Sequence, residues 1–176
     1  MAVSDVTGRP SSTARALVPL LFGAGIAVSL GAYGRLHDPT GQSLFSLVFT
    51  RTITMKAWLA TLAAGLAVFQ LLSALRMYGR ISIPRTMPPW LPTLHRVSGA
   101  IAFVLAVPVA YHCLLALGFQ TLDARHLVHS VAGCVFFGAV GTKVLVVPDR
   151  TLPGWMLPLA GGVLFSALIA VWLTSS

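Results

Sequence analysis

The sequence predicts an all-α integral membrane bundle of five transmembrane helices, with the N-terminus in the cytoplasm and the C-terminus outside. Three observations predict it. Of 176 residues, 56% are hydrophobic and only 9% charged, where a soluble domain carries about 25% charge. Five runs of the length needed to cross about 30 Å of hydrocarbon, roughly 20 residues each, are almost free of charge. The segments between them are too short to form soluble domains, and a chain this apolar cannot remain solvated and disordered.

The first run, 16–34, follows a Ser- and Thr-rich tail, 1–15, that carries Arg9 and Arg15. It is longer than a signal-peptide core, so it reads as a retained anchor, although Ala27, Ser29 and Gly31 are small enough for a cleavage site. The second run is 57–75. The third, 97–119, has His112 as its strongly polar member, and the fourth, 127–147, contains Lys143 close enough to its end for the side chain to snorkel to the interface. The fifth is 155–174. Together, 16–174 form one transmembrane domain.

Between the first two runs, His37-Asp38-Pro39-Thr40-Gly41 is a turn signal, and Leu44 to Phe49 read as an interfacial segment. The loop from Arg80 to Pro92 holds Pro84, Pro88, Pro89 and Pro92 and is expected to be extended and stiff. Of the twelve basic residues, Arg9, Arg15, Arg76, Arg80, Arg85, Arg96, Lys143 and Arg150 fall at one end and Arg35, Arg51, Lys56 and Arg125 at the other. Positive charge favours the cytoplasmic side, which sets the orientation of a multi-pass protein of the cell membrane. Trp90 and Trp155 then mark the inner interface, Trp58 and Trp172 the outer one.

The polar residues narrow the chemistry. The chain has no Glu, and its four Asp (Asp5, Asp38, Asp123, Asp149) lie outside the runs, which argues against a proton relay of intramembrane acids. It carries no phosphate-binding glycine loop and no zinc-hydrolase motif, and no nucleic-acid partner is expected. Histidine remains. His112 and His129 lie on sequence-adjacent helices, each about 9 Å below the outer turn around 120–122 at about 1.5 Å per residue. Two imidazoles at one depth are what bis-histidine ligation of a haem iron requires, the alternative being hydrogen bonds across the hairpin. Gly133, one turn below His129, leaves room for a flat ring. Arg125, Arg51 and Arg35 offer cations for propionates. Helices packed about 8–10 Å apart leave little space for a porphyrin, so the two must splay, and Pro108 is placed to bend the third.

His126 reads as an interfacial polar residue or a substitute for His129. His95 lies at the inner end, about 100° around the helix from His112; solvation beside Arg96 explains it, and Met77 is the conceivable partner for a second group. His37 is a candidate ligand or quinone hydrogen-bond donor at the outer site. Cys113 and Cys134 differ in calculated depth by more than a disulfide spans, so both are expected to be free.

The phrases Tyr111-His112-Cys113, His129-Ser130, Leu94-His95-Arg96 and His37-Asp38-Pro39-Thr40-Gly41 resemble a family of small uncharacterised actinobacterial integral membrane proteins over most of the chain. More distantly, histidines at matched depth in a small bundle are similar to the membrane b-type cytochromes, cytochrome b561 and the ferric reductase transmembrane domain. That likeness implies haem b, electron transport and an oxidoreductase complex, with a quinol or a redox protein subunit as partner. The ferric reductases pair histidines about fourteen residues apart on one helix, whereas His95 and His112 are seventeen apart; one outer haem is therefore the expectation. Two other readings stand beside it. A non-redox accessory subunit of a hetero-oligomer would use the small residues Ala60, Ala64, Ala67, Gly161 and Gly162 for close helix contact, and a metal or small-solute transporter would use His37, His112, His126 and His129 as a cluster.

Overall fold

The computed structural model describes residues 12–83 and 86–175. Most of the N-terminal tail, with Arg9, and the loop positions Pro84 and Arg85 lie outside the described residues. The chain is all-helical: α1 (Ser12–Leu36), α2 (Thr52–Met77), α3 (Leu91–His112), a single π-helical turn (Cys113–Leu117) continuing α3, α4 (Ala124–Val146) and α5 (Met156–Leu173). All five helices are long and apolar enough to cross a membrane; the shortest, α5, has 18 residues, about 27 Å at about 1.5 Å per residue.

Helices α1 to α4 begin earlier than the uncharged runs seen in sequence, while α5 lies just inside its run. Helix α2 begins at Thr52 rather than 57 because Met55 is completely buried, which draws Lys56 into the second turn. Helix α3 begins at Leu91 with Pro92 in its first turn, where a missing N–H costs nothing. Helix α4 is capped by Asp123, whose carboxylate accepts from the His126 N–H at 2.8 Å. Among the described residues, 44–49 form no helix but irregular backbone with a turn at 47–48, and Val48 is 94% exposed.

The packing order is α1–α4–α5–α2–α3. Helices α3 and α4, joined by a short turn, are not packed backbone to backbone; α3 lies on α2, and α4 lies between α1 and α5. The two helices meet through side chains instead, the rings of Phe103 and Phe137 standing edge to face with centroids 5.9 Å apart. Small residues explain the tight pairs, since lipid supplies no hydrophobic drive between helices. A Cβ on Gly138 of α4 would stand 2.5 Å from the Gly23 carbonyl oxygen of α1, so only glycine permits that approach, and Thr142 donates to the Pro19 carbonyl at 3.1 Å beside it. Helix α1 is thus a full member of the bundle. At its centre Ala63 and Ala67 of α2 meet Phe136 of α4 and Ala167 and Leu168 of α5. Ala64 and Ala67, read from sequence as surfaces for another subunit, are consumed inside the chain.

Candidate functional site

The π turn is the irregularity that shapes the outer half. Its last bond closes from the Gly118 N–H to the Cys113 carbonyl at 3.0 Å, and Gly118 holds a φ of +69°, which glycine adopts without strain. Carbonyls of the turn face outward and are taken by the loop after α1: Thr40 N–H donates to Leu115 at 3.1 Å and Gly41 N–H to Ala116 at 3.0 Å. His37 joins this strap. Its Nδ1 lies 3.0 Å from the Tyr33 carbonyl and its Nε2 3.3 Å from the Leu115 carbonyl, with the ring stacked on Tyr33. Both partners are carbonyls and only accept, so a neutral ring donates to one and lies against the other; either way His37 fastens the loop. π turns recur at functional sites because they displace side chains from the helical register.

Beneath this cap lies a cavity of about 290 Å³, partly open at its side, near the lower end of the roughly 300–1,000 Å³ typical of small-molecule sites. All five helices contribute, and the wall is apolar. Its small members include Ala60, Ala106, Gly118 and Gly133; its polar ones are His129 and Ser130, with the thiols of Cys113 and Cys134. A Cβ at Gly133 would meet nothing within 4 Å, so that glycine opens onto the space. Ser130 is already satisfied by the backbone of Gln120. The two cysteines are free.

His129 is held from α5. Its Nδ1 is 3.1 Å from Thr174 Oγ1, and that hydroxyl lies 2.6 Å from the Ala170 carbonyl. A carbonyl can only accept, so the Thr174 proton is committed to Ala170, and Thr174 Oγ1 accepts from His129 Nδ1–H. The Val171 carbonyl, 3.2 Å from the same hydroxyl, is a further acceptor beside the ring. The neutral imidazole has one proton, and Nδ1 carries it. Nε2 keeps its lone pair with no partner among the described residues, on a side chain that lines the cavity. This is how proteins prepare a histidine to ligate. Thr174 has no ligand-like signature in sequence; only its place at the end of α5, level with the start of α4, could have pointed to it.

The remaining candidates are distributed differently. His112 is 5% exposed, at the junction of α3 with the π turn, and its Nδ1 is buried without a hydrogen-bond partner. An unpaired buried polar atom is costly. His112 is not in the cavity wall, although its neighbours Tyr111 and Cys113 are. Lys56 is the cation whose charge reaches both His112 and His129. Arg125 Nε donates to the Thr174 carbonyl at 3.2 Å, so it stands at the same corner as His129. Arg51 stands at the N-cap position of α2 without a side-chain capping bond, and Arg35 donates to Thr121 at 3.3 Å. His126 is exposed and paired with Asp123 at 2.8 Å; the His126 backbone N–H, with its ring, holds that carboxyl below the usual carboxylate range. Among the described residues no three His, Cys, Asp or Glu side chains group to hold a metal ion, so the outer histidines do not form the cluster a metal transporter would need.

Family models give one match: residues 16–176 fit a family of unknown function, DUF6529. The chain belongs to this family. No curated protein and no solved structure matches it, so no named relative stands behind the likeness to b-type cytochromes. For a haem, the donor set fits through one face: an apolar slot, a glycine beside it, and an imidazole whose Nε2 is free.

Proposed function

We propose that the protein is a membrane-embedded electron-transfer protein of the b-type cytochrome kind, with haem b in the cavity between α3 and α4. The observation that carries this reading is His129 in the wall of an apolar cavity, its Nδ1 bound to Thr174 and its Nε2 free. Haem, when bound, supplies one-electron chemistry at its iron. His129 would hold the haem through Nε2, and His112, outside the cavity wall but with an orphaned Nδ1, is the second residue proposed to hold it. Gly133 leaves room for the ring, and Arg125 and Arg51 at the outer end are the proposed partners of the propionates. The apolar wall excludes water and raises the cost of charge in the site, a lever on redox potential. The electron partners proposed are a quinol or a redox protein on the outer face, with the chain acting as a subunit rather than a stand-alone enzyme.

The reduced-minus-oxidised spectrum and a pyridine haemochrome assay on protein from haem-supplied cells test this. A b-type spectrum is expected, abolished in His129→Ala and converted to a high-spin form in His112→Ala. A colourless wild type overturns the reading. A second reading, an accessory subunit, is favoured by Gly161 and Gly162 of α5, where an added Cβ meets nothing within 4 Å; they leave a close-approach surface that the chain itself does not use.

A further inference from the structure

The opposite end of the bundle is strongly basic. Arg15, Arg76, Arg80, Arg96, Lys143 and Arg150 gather there, and Asp149 is the acid they face among the described residues. Asp149 is already engaged, accepting from Thr151 N–H at 2.8 Å and its hydroxyl at 2.7 Å. Lys143 differs from the surface arginines. It lies seven residues after Phe136 and four after Ala139, on the α4 face that those buried residues share. It is half-buried. No hydrogen bond or ion pair engages it among the described residues, whose ion pair is His126–Asp123 at the far end. Its ammonium is not among the sealed, unpartnered atoms, so the site is reachable from outside.

The neighbourhood is polar on the α3 side. His95 of α3, on which the charge of Lys143 acts, is bound through Nδ1 to Ser73 Oγ at 2.7 Å. The Ser73 hydroxyl donates to the Phe69 carbonyl, also at 2.7 Å, which leaves His95 Nε2 uncommitted. His95 sits four residues inside the start of α3 and Lys143 three residues inside the end of α4. At about 1.5 Å per residue, both lie about 5 Å within the bundle, level with each other at the depth of lipid headgroups.

We propose that Lys143, half-buried near the C-terminal end of α4 and level with His95 of α3, seats the phosphate of an anionic phospholipid. A half-buried ammonium away from carboxylates needs an anion, and basic pockets between transmembrane helices select anionic headgroups. The net charge of this end extends the same preference to the surrounding lipid. The site is independent of the haem reading, and its test has no spectral readout.

Delipidated protein in a nonionic detergent is titrated with phosphatidylglycerol, phosphatidylcholine and inorganic phosphate, following bound lipid by native mass spectrometry and unfolding temperature. Phosphatidylglycerol is expected to bind more tightly than phosphatidylcholine and to raise the unfolding temperature, with inorganic phosphate giving neither effect. Lys143→Gln is expected to weaken phosphatidylglycerol binding about fivefold, Lys143→Arg to retain it, and Lys56→Gln at the far end to leave it unchanged. Equal binding of the two lipids overturns the proposal, as does wild-type binding by Lys143→Gln or full stabilisation by inorganic phosphate alone. The wild-type lipid comparison decides even where a variant fails to fold.

Discussion

Thr174 acts on His129 through a proton count. Its own hydroxyl proton goes to Ala170, which obliges His129 to donate from Nδ1 and leaves Nε2 as a base in an apolar wall. Two-bond ¹H–¹⁵N correlation spectra at neutral pH are expected to report the Nδ1–H tautomer in wild type and in Thr174→Ser. In Thr174→Val the hydroxyl acceptor is gone and the Val171 carbonyl is the acceptor left beside the ring; about a tenfold loss in affinity for added haem is expected, as when an orienting partner of a ligating histidine is removed. An Nε2–H tautomer in wild type sinks the assignment. His112 and His129 stand out in the sequence because intramembrane histidines are few and their depth follows from counting residues; the structure puts His129 in the cavity wall and leaves His112 out of it. Thr174 does not stand out, since a threonine at a helix end is ordinary until the helix beside it is known, and the contacts of His37 depend in the same way on the backbone that meets its ring.

At the scale of elements, five apolar runs gave five helices because run length and hydropathy depend on the bilayer alone. Their ends were less legible. The start of α2 is settled by the burial of Met55, and the π turn after His112 has its carbonyls satisfied by a loop more than seventy residues away in sequence. Neighbours were least legible of all, because a short connection does not oblige α3 and α4 to pack. The α1–α4 contact rests on an approach that Gly23 and Gly138 allow together. Gly138→Ala is expected to force the two backbones apart and destabilise the folded state by about 1–3 kcal/mol, read from unfolding in mixed micelles. Gly162→Ala, with open space around the new methyl, should be close to neutral in the same assay. If that variant instead loses a co-purifying subunit, the accessory reading gains its first support.

At the scale of the molecule, the charge asymmetry is the feature that bears on orientation. Four of the five helices end or begin beside the cations that include Arg76, Arg96, Lys143 and Arg150, and α1 starts there at Arg15. Holding that end in the cytoplasm follows the positive-inside preference and sets the cavity, Arg125 and the His37 strap near the outer face, where an extracytoplasmic redox partner would reach them. An alkaline phosphatase fused after Ser176 is expected to be active and a green fluorescent protein at the same position dark. The intact mass of the purified protein is expected to include α1, because cleavage at Ala27 to Gly31 would discard Gly23 and with it the face on which Gly138 and Thr142 of α4 close. A dark phosphatase would place the cavity on the cytoplasmic side, where its electrons would have to come from a different class of partner, and the Lys143 lipid site would then select from the outer leaflet.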